Sequence, residues 1–194
     1  MNKDVGESNM ASRAAAAVPR RLDRPPVDKA LLRWNRRPET TMGAAMRIAI
    51  ASDHAAIEMK AALREWLIEQ GHEVADLGPD SHDSVDYPDF GYKLAAVVAE
   101  GTAERGIALC GSGIGISIAV NRHPQVRCAL VSEPLSASLA REHNDANVIA
   151  MGARIVGIEM ARACVSAFVE TEFGGGRHQR RVDKLSNPTC RGSE

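Results

Sequence analysis

A cysteine followed by three closely spaced glycines is the part of this 194-residue sequence best suited to chemistry. Cys110 ends a short apolar run, and Gly111, Gly113 and Gly115 follow before apolar residues resume. Glycines let the backbone approach a ligand closely, and the N–H groups that open a helix point toward whatever binds there. A thiol at a helix entrance favours its thiolate form. The segment therefore predicts a candidate base beside a cradle of main-chain donors.

Residues with reactive side chains also follow two other apolar runs. Asp53 and His54 come directly after the run 47–51, and Tyr87 lies in the polar loop after the run 73–77. Local sequence alone also allows Asp53 to cap the next helix, with His54 incidental, and allows the Tyr87 loop to be structural. The position of Asp53 and His54 at a strand end favours a role in a site, to which Tyr87 would supply a hydroxyl group.

Polar and basic residues cluster again toward the C-terminus. His143 and Asn144 lie between a helix and a strand, where they either end the helix or carry protons near neutral pH. Arg154 follows the fifth strand, and Arg177 and Arg181 share one face if the tail is helical. The basic tail is either a solvated segment or a phosphate clamp.

The elements that position these residues follow an alternating pattern from residue 46 onward. Apolar runs at 47–51, 73–77, 106–110, 126–131 and 148–151 are separated by helical patterns. They predict an α/β fold, a Rossmann-like three-layer α/β/α sandwich with a five-stranded parallel sheet. Ligands of such sheets bind at the carboxyl ends of the strands, at a topological switch point. The loops after the first and third strands should meet there.

Composition limits the classes of function. The chain is 44% hydrophobic, which is enough for a core, and its net charge of −1 gives no support for nucleic-acid binding. We expect no membrane span and no signal peptide, and a reducing cytoplasm as the compartment. Four irregularly spaced cysteines form neither a zinc pattern nor a disulfide framework. Cys128, Cys164 and Cys190 are expected to be inert.

Three segments are expected along the chain. Residues 1–45 carry nine Lys or Arg and five Asp or Glu without periodicity, which is typical of a flexible basic leader. An upstream start, with Met46 as the functional initiator, is the other interpretation. Residues 46–187 form the domain, and 188–194 form a frayed tail. A dinucleotide fingerprint fits poorly, because its last glycine should stand at Ile116, although Glu133 lies at a suitable distance for ribose.

Taken together, these motifs resemble the type B ribose-5-phosphate isomerase family, which includes galactose- and allose-6-phosphate isomerases. The resemblance covers residues 46–187 and rests on seven segments in order: Ser52–Ala55, Asp86–Pro88, Cys110–Gly115, Ser132–Pro134, His143–Asn147, Gly152–Arg154 and Gly175–Arg181. It implies interconversion of an aldose phosphate and a ketose phosphate without cofactor or metal. It also implies a homodimer, often paired into a tetramer, whose active sites are shared between subunits.

The resemblance also implies roles for individual residues. Cys110 is the base, Ser112 keeps a hydroxyl where threonine is common, and Asp53 and His143 open the sugar ring. Backbone N–H groups along 111–115 hold the enediolate oxygen. The other substrate-binding residues are sugar contacts and phosphate contacts: Tyr87, Asn144, His54, Arg154, Arg177, His178 and Arg181. Ala56 stands where the family usually has glycine.

Several alternatives remain open from the sequence. The substrate is a pentose phosphate in the leading hypothesis, and a tetrose or hexose phosphate (erythrose 4-, allose 6- or galactose 6-phosphate) in the next. A non-catalytic sugar-phosphate sensor would retain the cradle but not the chemistry. A metal-dependent isomerase would use a ligand set drawn from Asp53, His54, His143 and Asp145, although no spacing is diagnostic.

Overall fold

The computed structural model describes residues 32–35 and 45–187. Its strands are β1 (Trp34–Asn35), β2 (Arg47–Ser52), β3 (Glu73–Asp76), β4 (Arg105–Cys110), β5 (Cys128–Leu130) and β6 (Val148–Gly152). Its α-helices are α1 (Ile57–Glu69), α2 (Tyr87–Ala99), α3 (Ile114–Val120), α4 (Pro134–Asn144), α5 (Ile158–Glu170) and α6 (Gln179–Ser186). Turns of 3₁₀ helix at His54–Ala56 and Gly176–His178 precede α1 and α6.

The described strands form one sheet in the order β1-β3-β2-β4-β6-β5, in which β2 to β6 are all parallel. The predicted α/β fold with five parallel strands is therefore confirmed. The chain passes from β2 to β3 on one side and then crosses to β4 on the other side of β2. This reversal between β2 and β4 is the switch point at which a parallel sheet opens a crevice.

A two-residue strand that no sequence pattern predicted extends this sheet. Trp34 and Asn35 pair in antiparallel fashion with Ala75 and Val74 of β3, and the half-buried Trp34 packs against the core. The strand belongs to residues 1–45, which the composition placed outside the domain. The other residues of that leader, apart from those described above, and the tail 188–194 lie outside the described residues.

Alternating side chains of the strands fill two cores on opposite faces of the sheet. On β2, Ile48 and Ile50 pack toward α1, α4 and α5, whereas Ala49 and Ala51 pack toward α2 and α3. Burying one large aliphatic side chain stabilises the fold by roughly 1.5–3 kcal/mol. Cys110, at the end of β4, belongs to the second core. The candidate base is thus held by the α2 and α3 layer.

The helices pack against the two faces of the sheet, and their lengths are those of a globular fold. The helices α1, α2 and α5 have 13 residues each. A membrane span needs about 20 apolar residues. Within the described part of the chain, no helix has the length and apolar character required to cross a bilayer.

Candidate active site

The carboxyl ends of β2 and β4 bring together two of the loops singled out by the sequence. Ser52 pairs with Leu109 in the sheet, and the Asp53 N–H donates to the Leu109 carbonyl at 3.1 Å. Neighbouring strands lie about 4.8 Å apart. Asp53 and Cys110, the next residue of each chain segment, therefore lie side by side at the switch point, as predicted.

Cys110 lies directly beneath the glycine loop. Its side chain is only 4% exposed, and its Sγ accepts a hydrogen bond from the Gly113 N–H at 3.0 Å. The contact directs a main-chain donor at the sulfur. Ser112, two residues along the chain, is exposed. The sulfur is therefore buried just beneath the exposed glycine loop.

The glycine loop uses two of its own N–H groups internally. The Gly113 N–H serves the sulfur, and the Ile114 N–H donates to Ser112 Oγ at 3.3 Å. Gly113 has φ +78°, and a β-carbon there would lie 2.6 Å from Leu130 Cδ1. Both facts require glycine at this position. Fewer main-chain N–H groups are therefore left for a ligand than the sequence predicted.

The other two glycines allow functional side chains to lie against the loop. A β-carbon at Gly111 would be 3.4 Å from the guanidinium carbon of Arg154. A β-carbon at Gly115 would be 2.6 Å from Cζ of the Tyr87 ring. Arg154 and Tyr87 therefore flank the loop that covers Cys110. The structure brings both predicted substrate-binding residues to this edge of the sheet.

Asp53 and His54 are each fixed by a main-chain N–H group. Asp53 Oδ1 accepts from the Ala55 N–H at 2.9 Å, so the capping interpretation of this residue is confirmed. His54 Nδ1 accepts from the Val85 N–H at 3.2 Å. A ring nitrogen that accepts carries no proton, so neutral His54 presents Nε2–H as a donor. Ala56 has φ −129°, a conformation that does not require the glycine typical of the family.

The remaining candidate residues lie at the opposite edge of the sheet. His143 and Asn144 end α4, and the Gly174 N–H donates to the Glu142 carbonyl at 2.9 Å, which holds the tail against that helix end. The rings of His143 and His178 stack with centroids 4.5 Å apart and planes 4° apart. The tail is thus docked onto α4 within one chain.

Positive charge concentrates around this histidine stack. Desolvation by burial and the charges of His143, Arg177 and Arg181 lower the pKa of His178, whereas Glu142 raises it. The Arg177 Nε lies 3.4 Å from His178 Nε2, and both arginines are exposed. Guanidinium groups in this arrangement suit a phosphate.

The site residues therefore fall into two groups, which lie at opposite ends of the strands. Cys110 pairs with Gly152 at the carboxyl end of β6, whereas Asn147 precedes the amino end of this five-residue strand, roughly 16 Å away. The carboxyl-edge half-site comprises Asp53, His54, Tyr87, Cys110, Gly111, Ser112, Gly113, Gly115 and Arg154. The amino-edge half-site comprises His143, Asn144, Arg177, His178 and Arg181.

This division also bears on the metal alternative. The ligand set considered from the sequence comprises Asp53, His54, His143 and Asp145. The first two belong to one half-site and the last two to the opposite edge. Asp145 is also committed to ion pairs with Arg127 at 2.8 Å and Arg141 at 2.7 Å. Among residues 32–35 and 45–187, no cluster of three or more His, Cys, Asp or Glu could hold a metal ion.

The other cysteines and Glu133 have structural surroundings. Burial raises the pKa of both Cys128 and Cys164, and Glu133 raises that of Cys164 further. Thiols held in the protonated form are poor nucleophiles. Cys190 lies outside the described residues. The Glu133 carboxylate accepts from the Ser136 N–H at 2.6 Å and caps α4, so it is not placed to bind a ribose.

A cavity of about 480 Å³ lies beside the amino-edge half-site rather than around Cys110. It opens between α3, β5, α4 and α6, and Asn144 is the candidate site residue that lines it. This cavity is therefore not the crevice predicted around Cys110. At the carboxyl-edge half-site, the Cys110 sulfur is covered by its own glycine loop.

A buried ion pair beside the carboxyl-edge half-site was not predicted from the sequence. Lys60 is 2% exposed, and its Nζ lies 2.6 Å from Asp76 Oδ1. The signal was present: Lys60 shares the buried stripe of α1 with Met59, Leu63 and Leu67. Lysine is almost never fully buried unless paired, so its place in an apolar stripe indicates a partner.

Comparison with known proteins identifies the family to which these features correspond. A family model described as Ribose/Galactose Isomerase matches residues 48–185. Ribose-5-phosphate isomerase B of Escherichia coli K12 is 43% identical over 72% of this chain and 94% of its own length. A D-erythrulose-4-phosphate isomerase of Pectobacterium atrosepticum is 39% identical over 72% of this chain and 93% of its own.

Solved structures show the same similarity in three dimensions. The structure of Clostridium thermocellum ribose-5-phosphate isomerase B superimposes with a TM-score of 0.72 at 45% sequence identity. The match covers 73% of this chain and 95% of that one.

Proposed function

This chain belongs to the ribose/galactose isomerase family, and from that premise we propose that it interconverts ribose 5-phosphate and ribulose 5-phosphate. The proposal agrees with its similarity to a ribose-5-phosphate isomerase B. One observation carries it: the Cys110 sulfur, beside Asp53 at the switch point, accepts a hydrogen bond from the Gly113 N–H at 3.0 Å. That arrangement provides a thiolate base where a parallel sheet binds ligands.

The proposed reaction is a proton transfer between two adjacent carbons. The Cys110 thiolate removes the C2 proton of the open-chain aldose, and the electron pair of that bond forms the C1–C2 double bond of an enediolate. The electron pair of the C1=O π bond moves onto O1, a proton then passes from the O2 hydroxyl to O1, and return of the proton from Cys110 to C1 gives the ketose with its carbonyl at C2. Because aldose and ketose are isomers, no electrons or atoms are gained or lost, and side chains suffice. The free N–H groups of the loop stabilise the enediolate oxygen preferentially.

The other residues bind, open and hold the sugar. We assign ring opening to Asp53 and His143, and contacts with the sugar hydroxyls to Tyr87 and Asn144. Phosphate contacts are assigned to five basic residues: His54, Arg154, Arg177, His178 and Arg181. Binding of the phosphate, remote from the reacting carbons, supplies the free energy that holds the sugar in a reactive pose.

We further propose that two copies of the chain share each active site. The two half-sites of one chain lie at opposite edges of the sheet, so they cannot act on one sugar phosphate of a few ångströms. Exposed apolar side chains surround the edge strand β5: Ile114, Ile118, Leu130, Leu135 and Leu139. Such a patch is typical of a protein interface. A symmetric dimer would place the amino-edge half-site of one copy over Cys110 of the other.

Competing substrates are separated by chain length. The D-erythrulose-4-phosphate isomerase among the relatives favours a four-carbon alternative, and the family description includes galactose, which has six carbons. Steady-state kinetics on tetrose, pentose and hexose phosphates, measured side by side, test the assignment. We expect the highest kcat/KM for the pentose; a higher value for either of the others would reassign the substrate.

Isotope exchange tests whether the protein is a catalyst or a sensor. Incubation with ribose 5-phosphate in D₂O should place deuterium at the carbon that receives the proton, because the thiol exchanges with solvent. Binding of the sugar phosphate without any deuterium incorporation or turnover would contradict an isomerase and support a sensor.

A further inference from the structure

We propose that Lys60 and Asp76, which lie outside the seven segments that resemble the family, are positioning residues for His54 and for the phosphate-binding side of the carboxyl-edge half-site. The proposal rests on the proposed function, in which His54 binds phosphate. It concerns the loop 77–86, which connects β3 to α2 and runs past the site. The pair fixes the beginning of this loop, and His54 fixes its end.

The contacts of Lys60 define the beginning of the loop. Its Nζ donates to Asp76 Oδ1 at 2.6 Å and to the Pro79 carbonyl at 2.7 Å, and the Asp80 carboxylate lies 3.8 Å away. Asp76 Oδ1 also accepts from the Gly78 N–H at 2.9 Å. One ammonium group and one carboxylate oxygen thus hold the backbone segment 76–79 against α1.

The same loop is joined to the residues that carry the site. The Gly78 carbonyl accepts from the Ser52 N–H at 3.1 Å, directly before Asp53. At the other end, the Val85 N–H donates to His54 Nδ1 at 3.2 Å. A shift of the loop would therefore displace the partners of both Ser52 and His54, the two ends of the segment 52–54.

The orientation of His54 depends on that second contact. While Nδ1 accepts from Val85, the proton of the neutral ring is on Nε2, which is then free to donate to an anion. If Val85 moves away, the ring can rotate or take the other tautomer. Lys60 and Asp76 would therefore influence phosphate binding without touching the substrate.

Stability alone does not account for a buried lysine at this position. Removing an ion pair from water costs more than burying an apolar chain of the same size, and apolar replacements of buried pairs are often neutral or stabilising. Met59 and Leu63, on the same face of α1, show that the stripe accepts apolar side chains. The pair does what methionine could not: it binds the carbonyl and N–H groups of the loop.

The test replaces the lysine by an apolar residue of similar length. In Lys60→Met we expect the KM for ribose 5-phosphate to rise about tenfold, while kcat changes about twofold at most. A misplacement of 1 Å can cost roughly 10²-fold, and we expect His54 to shift by less than that distance. Hydrogen exchange at the Val85 amide should accelerate. Leu63→Ala is the matched control, since it destabilises the same helix face and its apolar side chain makes none of the hydrogen bonds that hold the loop; it should leave KM and Val85 exchange unchanged.

A milder variant covers the case in which Lys60→Met does not fold. Asp76→Asn keeps an acceptor oxygen but removes the charge, so the ion pair with Lys60 is lost, and the hydrogen bond from the Gly78 N–H becomes a neutral one, about half as strong as a charge-assisted one. We expect a smaller rise in KM, about threefold, with faster exchange at Val85. Unchanged KM and unchanged exchange in the variants that fold would overturn the proposal. Because exchange needs no substrate, it tests the positioning role even if the wild-type protein isomerises none of the sugars.

Discussion

At the scale of single residues, the candidate chemistry depends on one sulfur and one main-chain donor. The sequence identified Cys110 as the reactive cysteine because it stands between a buried strand and a glycine-rich turn. The structure adds the donor, the Gly113 N–H. It also shows why Cys128 and Cys164 differ from Cys110: burial raises the pKa of both thiols.

Removal of this sulfur should abolish turnover. In Cys110→Ala the proton between C1 and C2 has no base, and loss of a general base typically costs roughly 10²–10⁴ in rate. We expect kcat for ribose 5-phosphate to fall by at least that factor while the melting temperature stays near that of the wild type. Cys164→Ala, which removes a buried thiol from the opposite core, is the control and should retain turnover. Near-full activity of Cys110→Ala would exclude the proposed base.

Gly113 should be the least replaceable glycine of the loop. In Gly113→Ala the left-handed conformation costs roughly 1–2 kcal/mol for any L-residue, and the new methyl group would lie 2.6 Å from Leu130 Cδ1. Gly101→Ala is a matched control, because Gly101 also has a positive φ, +68°, but has nothing within 4 Å of its β-carbon position. Urea denaturation should show a larger loss for Gly113→Ala; equal losses would mean that the overlap is relieved without cost.

Sequence patterns predicted individual site residues better than their contacts. Asp53, His54 and Cys110 follow strands, and the carboxyl ends of parallel strands meet by topology, so their proximity could be predicted. The internal use of the Gly113 N–H depends on a side-chain rotamer of Cys110, which no spacing encodes. The Lys60–Asp76 pair joins residues 16 positions apart through a loop whose path the sequence does not specify.

At the scale of elements, docking of the tail after α5 should depend on pH. The pKa of His178 is lowered from its ordinary value of 6.5, so an undocked tail binds a proton more readily than the docked one. Docking is therefore fully favoured above about pH 6.5 and is weakened as the pH falls through that value. The His143 ring, stacked at 4.5 Å, is among the groups that lower the pKa of His178.

Exchange at the Gly174 amide, which is bonded to the Glu142 carbonyl, should report this undocking. We expect its protection factor to fall between about pH 7 and about pH 5, the range in which histidine titrates. His178→Phe keeps an aromatic ring for the stack and removes the titration, so its protection should hardly vary with pH. Constant protection in the wild type would show that protonation of His178 does not release the tail.

The elements themselves were predictable where periodicity is strong. Five strands and their helices were found within a few residues of the predicted bounds, because apolar runs of four to six residues have few alternatives in an α/β fold. The strand β1 was not, since two residues carry no period and its partner β3 lies about 40 positions away. The helical tail was expected only conditionally, and its docking on α4 depends on a contact with Glu142 that sequence does not reveal.

At the scale of the whole molecule, the fold explains why a single chain looks incomplete. A parallel sheet presents its strand ends at two opposite edges, and α4, which runs against the strands, delivers His143 to the edge away from Cys110. The apolar side chains around β5 lie between these edges. A second copy docked there would turn two half-sites per chain into two complete sites per dimer.

Mixing two inactive variants distinguishes shared sites from sites within one chain. Cys110→Ala disables the carboxyl-edge half-site, and His143→Ala disables the amino-edge half-site, so each homodimer should lack turnover. In a mixed dimer with shared sites, one site combines both defects and the other combines intact Cys110 with intact His143. Random assortment makes half of the dimers mixed, so subunit exchange should restore about a quarter of wild-type activity. If both half-sites acted within one chain, no combination would contain an intact site, and the mixture would remain inactive.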